Sequence, residues 1–233
     1  MDRPPIWLRP ERAARGPRPA HSRDEIAAAA VRVADAEGLA AVSMRRVATE
    51  LGTGTTSLYR YVDGKDELFD LMVDRAMGDG RPPVPTGNWR VDLAAVAHAQ
   101  RAIMLRHPWL VRLPATRPVL GPNTLAWLEA TYAAVDVPGL DADEVLAQAA
   151  TLLTFVRGHA LEELTEREAG STMADWLTKQ SQRYAEQVIG SGVYPHLSRM
   201  MIEAETPHAA DRFDRLFARS LEHVLTGLAA GRG

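Results

Sequence analysis

The sequence predicts an all-α protein. Apolar residues recur at spacings of three and four along most of the 233 residues, no segment alternates with period two for long enough to require a sheet, and clusters of glycine and proline separate the periodic runs. A chain of this length buries an ordinary core as one long domain or two short ones. It has no cysteine, which excludes disulfides, thiolate metal sites and a cysteine nucleophile, and fits a reducing interior. No apolar run approaches the roughly 18 residues of a membrane span, and the N-terminus has no apolar stretch of the signal-peptide kind. A cytoplasmic protein with no membrane partner is expected.

The elements follow in order. The opening "MDRPPIWLRPERAARGPRP" holds five arginines and five prolines and has no helical period, so residues 1–21 read as a flexible basic arm. Ser22 caps a first helix, with Glu25 placed for a capping box, and Ile26, Ala29, Ala30, Val33 and Ala34 form its apolar face until Gly38. Ser43 caps a second helix, Met44 to Leu51, with Val47, Ala48 and Leu51 inward and Arg45 and Arg46 on its sides. A third runs from about Gly54 to Tyr61, and a fourth from Lys65 to Met77, with Leu68, Leu71, Met72 and Met77 on one side. "GDGRPPVPTGN", Gly78 to Asn88, is the sharpest break in composition and marks a domain boundary. Beyond it, longer helices are predicted at Trp89–Arg106, Pro122–Val135, Asp141–Glu168, Thr172–Ile189 and His208–Leu228. The domains are therefore 22–78 and 88–230.

Charge is distributed unevenly between these parts. Residues 1–62 carry 10 Arg against 7 acids, whereas the remainder carries 17 Lys and Arg against 23 acids, for a total of -3. A basic head on an acidic body is compatible with contact to a polyanion, because the phosphate term depends on nearby cations more than on the total.

From Met44 to Tyr61 the spacing is that of a helix-turn-helix. Ala48 is small enough for two helices to cross closely, Gly52 takes a positive-φ turn, and Leu58 pins the second helix to the first. The start of that second helix, Thr53 to Ser57, is then exposed. Thr55, Thr56 and Ser57 offer hydroxyls and backbone N–H groups to phosphates and allow close approach to base edges. Tyr59 and Tyr61 lie two apart and cannot share one face, so one packs or reaches a phosphate through its hydroxyl. Arg60 between them is suited to guanine, and Lys65 brings a charge to the backbone.

At these residues the chain resembles the tetracycline-repressor (TetR) family of bacterial regulators. The resemblance lies in "AVSMRRVATELGTGTTSLYRYVDGKDELFDLMVD", Ala41 to Asp74, and in the preceding helix ending "ADAEGL". It implies DNA contacts at Arg45, Thr55, Thr56, Ser57, Tyr59, Arg60, Tyr61 and Lys65. Where many members have an aromatic or histidine after the "LY" pair, this chain has Arg60 and Tyr61, so only the mode of binding carries over and not the operator sequence.

The C-terminal half is similar to the tetracycline repressor's own ligand domain in "HPWLVRLPATRPVLGPNTLAWLEATY" and "YPHLSRMM". The resemblance implies a helical ligand-binding and dimerisation domain behind the three-helix helix-turn-helix domain. The last helix also carries a broad apolar stripe, Phe213, Leu216, Phe217, Leu221, Val224, Leu225 and Leu228, that suits a homodimer interface or burial in its own domain. Large amphipathic side chains suited to an effector pocket are Trp109, Trp127, Tyr132, Phe155, His159 and Trp176, together with Tyr184; His98, His107 and His159 can supply hydrogen bonds. His159 with Glu162 and Glu163 has helical spacing but no accompanying histidine pair, so no metal is assigned and no cofactor is expected. No nucleophile elbow, phosphate loop or H-E-x-x-H occurs, which argues against an enzyme. The expectation is a dimeric repressor that binds a palindromic double-stranded DNA operator and is released by a small hydrophobic or aromatic effector. The alternative is a constitutive DNA-binding dimer without a pocket.

Overall fold

The computed structural model describes residues 4–10, 21–113, 118–170, 182–206 and 209–230. All their regular structure is helical: α1 Arg23–Glu37, α2 Met44–Glu50, α3 Thr55–Leu58, α4 Lys65–Met77, α5 Trp89–Arg106, α6 Pro122–Val135, α7 Ala142–Ala169, α8 Gln182–Gly190, α9 Pro195–Glu203 and α10 Arg212–Ala230. Short 3-10 turns occur at Ile6–Leu8, Leu39–Ala41 and Pro108–Arg112. The all-α class is as the sequence predicts. Residues 172–181 of the expected helix Thr172–Ile189 and His208 of the expected last helix lie outside the described residues, and α10 starts at Arg212; two further elements differ from expectation. α3 has four residues instead of eight, because Tyr59–Val62 continue as a tight turn in which Tyr61 N–H donates to Leu58 O at 2.9 Å. α9 follows directly on the break at "GSGVYP", where Pro195 occupies the first helical position, a place that needs no N–H.

Contacts divide the chain into two compact units, Met1–Leu153 and Thr154–Gly233, and the division falls within α7. The composition break at Gly78–Asn88 is not where contacts thin out, since α4 and α5 both pack on α6.

In the first unit, α1 packs on α2 and α4, and α2 packs on α3. Ser22 Oγ accepts the Glu25 N–H while Glu25 Oε2 accepts the Ser22 N–H at 2.8 Å, the expected capping box. Ile26, Ala30 and Val33 of α1, Val47 and Ala48 of α2, Leu58 of α3, and Leu68 and Met72 of α4 are buried together in one core. That core does not close with α1–α4 alone. Ile6 from the N-terminal turn and Trp109 from the turn after α5 are part of it. A single turn such as α3 is not stable by itself, so the burial of Leu58 and Val62 fixes its position.

Carboxylates, of which Asp74 and Asp92 are buried, join these helices to the elements that follow. Asp74 of α4 accepts from Thr124 N–H at 2.8 Å, Thr124 Oγ at 3.0 Å and Asn123 Nδ2 at 3.1 Å, which caps the first turn of α6 from another helix. Gly121 is required there, because a Cβ on it would lie 2.3 Å from the Asp74 carboxylate. Asp35 of α1 accepts from Trp109 Nε1 at 2.7 Å and faces His107 Nδ1 at 3.0 Å, while Asp79 faces His107 Nε2 at 3.2 Å. The segment 78–88 is closed at its far end by Asp92, which accepts Thr86 N–H at 2.8 Å, Thr86 Oγ at 2.7 Å and Gly87 N–H at 3.2 Å, with Gly87 at φ +85. Those bonds, from Thr86 first, hold the Asp92 carboxyl below its ordinary range.

In the second unit, Phe155 and His159 of α7 lie against Phe217 of α10, with ring centroids 5.3 and 5.7 Å away, and Arg212 Nε donates to Glu166 at 3.0 Å. Phe217, Leu221, Leu225 and Leu228 of the predicted stripe are buried within the single chain, while Leu216 is exposed. No residue of α9 is buried.

Asp74→Ala should destabilise the protein by about 2 kcal/mol, because it removes the carboxylate that accepts from the Thr124 N–H, the Thr124 hydroxyl and the Asn123 amide. Thermal unfolding reads this directly, and an unchanged midpoint would refute the staple. Asp92 is held below its unfolded value, so its contribution is complete above the ordinary carboxylate pKa of about 4 and is lost as pH falls through the lower folded value. Asp92→Asn should therefore lower the melting temperature at about pH 7 and approach the parent at about pH 2; an equal gap at both would show that the ionised carboxylate is not what matters.

Candidate nucleic-acid interface

The turn between α2 and α3 is built as its sequence requires. Gly52 adopts φ +65, the Gly52 N–H donates to Thr49 O at 3.1 Å, and the Thr53 N–H donates to Ala48 O at 2.9 Å. This pair of bonds ends α2 as a Schellman motif and reverses the chain into α3. Ala48 is 2 % exposed, and Leu58 is fully buried at the end of α3.

Burial then sorts the predicted contact residues. Leu58 and Val62 point inward, while Thr56, Tyr59 and Arg60 are exposed and Thr55 and Ser57 are half-buried. Tyr59 is the projecting tyrosine, with 53 % of its surface exposed. Tyr61 packs against the core, its hydroxyl accepts the His21 N–H at 3.4 Å, and its carbonyl accepts Arg23 Nε at 3.4 Å. The two tyrosines, two positions apart, thus differ in exposure: Tyr59 projects and Tyr61 is packed.

Cations are sorted by pairing. Arg46 is bound to Glu37 and Glu50, with its Nε 3.0 Å from Glu37 and its Nη1 3.0 Å from Glu50, and Glu37 first and Glu50 second hold its guanidinium more firmly charged. Arg32 adds a second cation to Glu50, whose carboxyl is held low by Arg46 and then Arg32. Among the described residues Arg45 and Arg60 have no such partner and are exposed, which leaves them available to an external anion. Lys65 opens α4, exposed, with Nζ 5.1 Å from the Phe69 ring centroid.

Arg9, from the segment read as a flexible arm, is placed otherwise. Its Nη1 donates to Asp63 Oδ2 at 2.9 Å, its Nη2 pairs with Glu67, and its side chain is 9 % exposed. Glu67, then Asp63, hold its guanidinium more firmly charged. Arg23 Nη1 fastens the same segment by donating to Ile6 O at 2.8 Å and Arg9 O at 2.7 Å. Residues 4–10 are thus packed on the head. Arg12, Arg15 and Arg18 lie outside the described residues. The sequence reading missed this docking, although the apolar "IWL" inside a charged run was a usable signal.

The effector candidates are placed apart. Trp109 and Trp127 are 3 % and 2 % exposed, and their indole N–H groups donate to Asp35 and, at 3.0 Å, to Met77 O. Both rings and both donors are engaged by the protein. His107 is likewise held between Asp35 and Asp79. Tyr132 lines a hollow of about 360 Å³ in the first unit with Asp136, Ala142, Val145 and Leu146. In the second unit Phe155 and His159 are half-buried with ring centroids 4.6 Å apart, and Tyr184 is exposed. Trp176 lies outside the described residues. Among the described residues no group of three His, Asp or Glu could hold a metal, and no helix is long and apolar enough to cross a membrane.

Comparison with known proteins gives the same picture along the length of the chain. Residues 26–72 match the model of bacterial regulatory proteins of the tetR family, and residues 81–232 match the tetracyclin repressor-like C-terminal domain. The HTH-type transcriptional repressor DrrR1 of Streptomyces coeruleorubidus is 39 % identical over 96 % of this chain and 83 % of its own. An HTH-type transcriptional regulator of Saccharopolyspora erythraea is 35 % identical over 98 % of this chain and 92 % of its own. Among solved structures, ActR of Streptomyces coelicolor in complex with actinorhodin superposes with a TM-score of 0.73 at 32 % identity, covering 91 % of this chain and 97 % of that one. With the turn between α2 and α3, its inward anchors and both domain models in place, the protein belongs to the tetracycline-repressor family of DNA-binding transcriptional repressors.

Proposed function

We propose that the protein acts as a homodimer that sets Thr55 to Tyr61 of each subunit into successive major grooves of a palindromic operator and is released when a hydrophobic or aromatic effector binds behind the head. The observation that carries this reading is the sorting at α3: Leu58 and Val62 are buried, and Tyr59 and Arg60 project without a side-chain partner among the described residues. In such a geometry Arg60 reads a base edge, Arg45 and Lys65 meet phosphates, and the hydroxyls of Thr55, Thr56 and Ser57 hold the backbone at close range. Tyr61 contributes from its packed position by bracing the turn. The apolar side chains Leu197, Met200, Ile202 and Leu216, exposed on the second unit, favour self-association.

The effector reading rests on Tyr132 at its hollow and on the Phe155–His159 pair, since Trp109 and Trp127 are occupied in packing. The structural relative ActR is seen with actinorhodin and with (S)-DNPA, which supports an effector of that general kind here. Release follows if the effector binds more tightly to a conformation in which the two heads no longer match the groove spacing of about 34 Å.

Two measurements test the reading. Arg60→Ala should weaken binding to a selected operator by about 1–3 kcal/mol, and Lys65→Ala should weaken binding to all sequences alike and lower the salt slope by about one; unchanged affinity in Arg60→Ala would mean that the reading segment lies elsewhere. With actinorhodin as the first probe, an effector must both raise the thermal midpoint and lower operator affinity, because the linkage is reciprocal. A compound that stabilises the protein without weakening DNA binding is not an effector, and if a panel of flat aromatic compounds gives no such coupling, the constitutive alternative replaces this reading.

A further inference from the structure

The segment of the head that carries Lys65, which is expected to meet phosphate, is acidic in sequence. Between Asp63 and Asp70 the chain carries Asp63, Asp66, Glu67 and Asp70 against the single cation Lys65. Two of these acids are drawn together: Glu67 Oε2 accepts the Asp63 N–H at 2.8 Å, a bond that closes the turn leading into α4. The side chains of Asp63 and Glu67 keep 36 % and 22 % of their surface exposed, so their charge acts on the same solvent as Lys65. A pair of carboxylates in that place opposes an approaching polyanion.

Arg9 answers both. It comes from 54 residues upstream of Asp63 and 58 upstream of Glu67, and it bridges them with one nitrogen each. The fork geometry of the guanidinium suits two acceptors on different residues better than an ammonium would. With 9 % of its side chain exposed, Arg9 is in no position to contact a phosphate itself. Its location is over-determined: Ile6 is 3 % exposed in the head core, and Arg23 donates to the carbonyls of both Ile6 and Arg9. The Trp7 ring lies so close to Gly121 that a Cβ there would come within 2.7 Å of it.

We propose that Arg9 is a positioning and charge-shielding residue for DNA binding: docked by Ile6 and Arg23, it neutralises the Asp63–Glu67 pair next to Lys65 and so keeps this edge of the head open to phosphate. The proposal rests on the reading of Thr55–Lys65 as the DNA-binding edge. It assigns Arg9 a role in binding without entry into a groove.

The test is a double-mutant cycle read by fluorescence anisotropy, with a duplex selected from a random-sequence pool by the parent protein. Arg9→Gln keeps most of the side-chain stem and should weaken binding about three- to tenfold at low salt, with the loss shrinking as ionic strength rises. In the Asp63→Asn/Glu67→Gln background the same change should cost little, because nothing is left to shield. Arg9→Lys should retain part of the affinity that Arg9→Gln loses. If Arg9→Gln costs as much with the carboxylates neutralised as with them present, Arg9 acts by direct phosphate contact or by global charge, and the proposal is overturned. Equal losses in Arg9→Lys and Arg9→Gln would overturn it as well. Arg60→Ala in the same assay separates the two levels: if it binds as tightly as the parent, the interface itself is misassigned, whereas if it weakens binding and Arg9→Gln does not, only the shielding role fails.

Discussion

The constraint on which the rest of this structure depends is that α3, the element proposed to read DNA, is a single helical turn. Four residues cannot hold a helix in water, since the nucleation cost is not recovered over so few bonds. α3 therefore takes its geometry from its neighbours: a Schellman turn at Gly52 aims it, Leu58 and Val62 tie it to the core, and Tyr61 braces it against the N-terminal part of α1. Each anchor that faces inward leaves an adjacent side chain facing outward. The exposed order Thr56, Tyr59, Arg60 is the complement of the buried order Leu58, Val62.

A head built this way is not self-sufficient. Its core is completed by Ile6 and Trp109, which reach it from the N-terminal segment and from the turn after α5. Three carboxylates direct that assembly. Asp35 holds the Trp109 indole, Asp79 shares His107 with Asp35, and Asp74 holds the first turn of α6. Hydrogen bonds to these carboxylates are directional, so the contacts do not slide as apolar packing does. A displacement of α6 is felt at α4 through the bonds of Asp74, and a displacement of the turn after α5 is felt at α1 through Asp35. These bonds tie α6 to α4, and the turn after α5 to α1, within the first unit.

Charge is treated in the same manner. The head carries many acids among its arginines, and pairing decides which cations remain for an external anion: Arg46 and Arg32 are committed to Glu37 and Glu50, and Arg9 to Asp63 and Glu67, while Arg45 and Arg60 stay uncommitted among the described residues. Net charge along the sequence is a poor guide to this outcome. What matters is which carboxylate each guanidinium meets.

Helical periodicity, the caps at Ser22 and Ser43, and the glycine and proline breaks were enough to place most helices to within a residue or two, because these signals are local in the chain. The spacing Ala48, Gly52, Leu58 was likewise enough to locate the turn between α2 and α3, since each residue there answers a local steric demand. Tertiary structure alone decided which tyrosine projects, that Trp109 and Trp127 serve packing, that the segment around Ile6 docks on the head, and that Arg9 is spent on Asp63 and Glu67. The reason is physical: backbone period and capping depend on neighbours three or four residues away, whereas the partners of Arg9 and of the Trp109 and Trp127 indole N–H groups lie 50 or more residues away in the chain, and no local pattern encodes those.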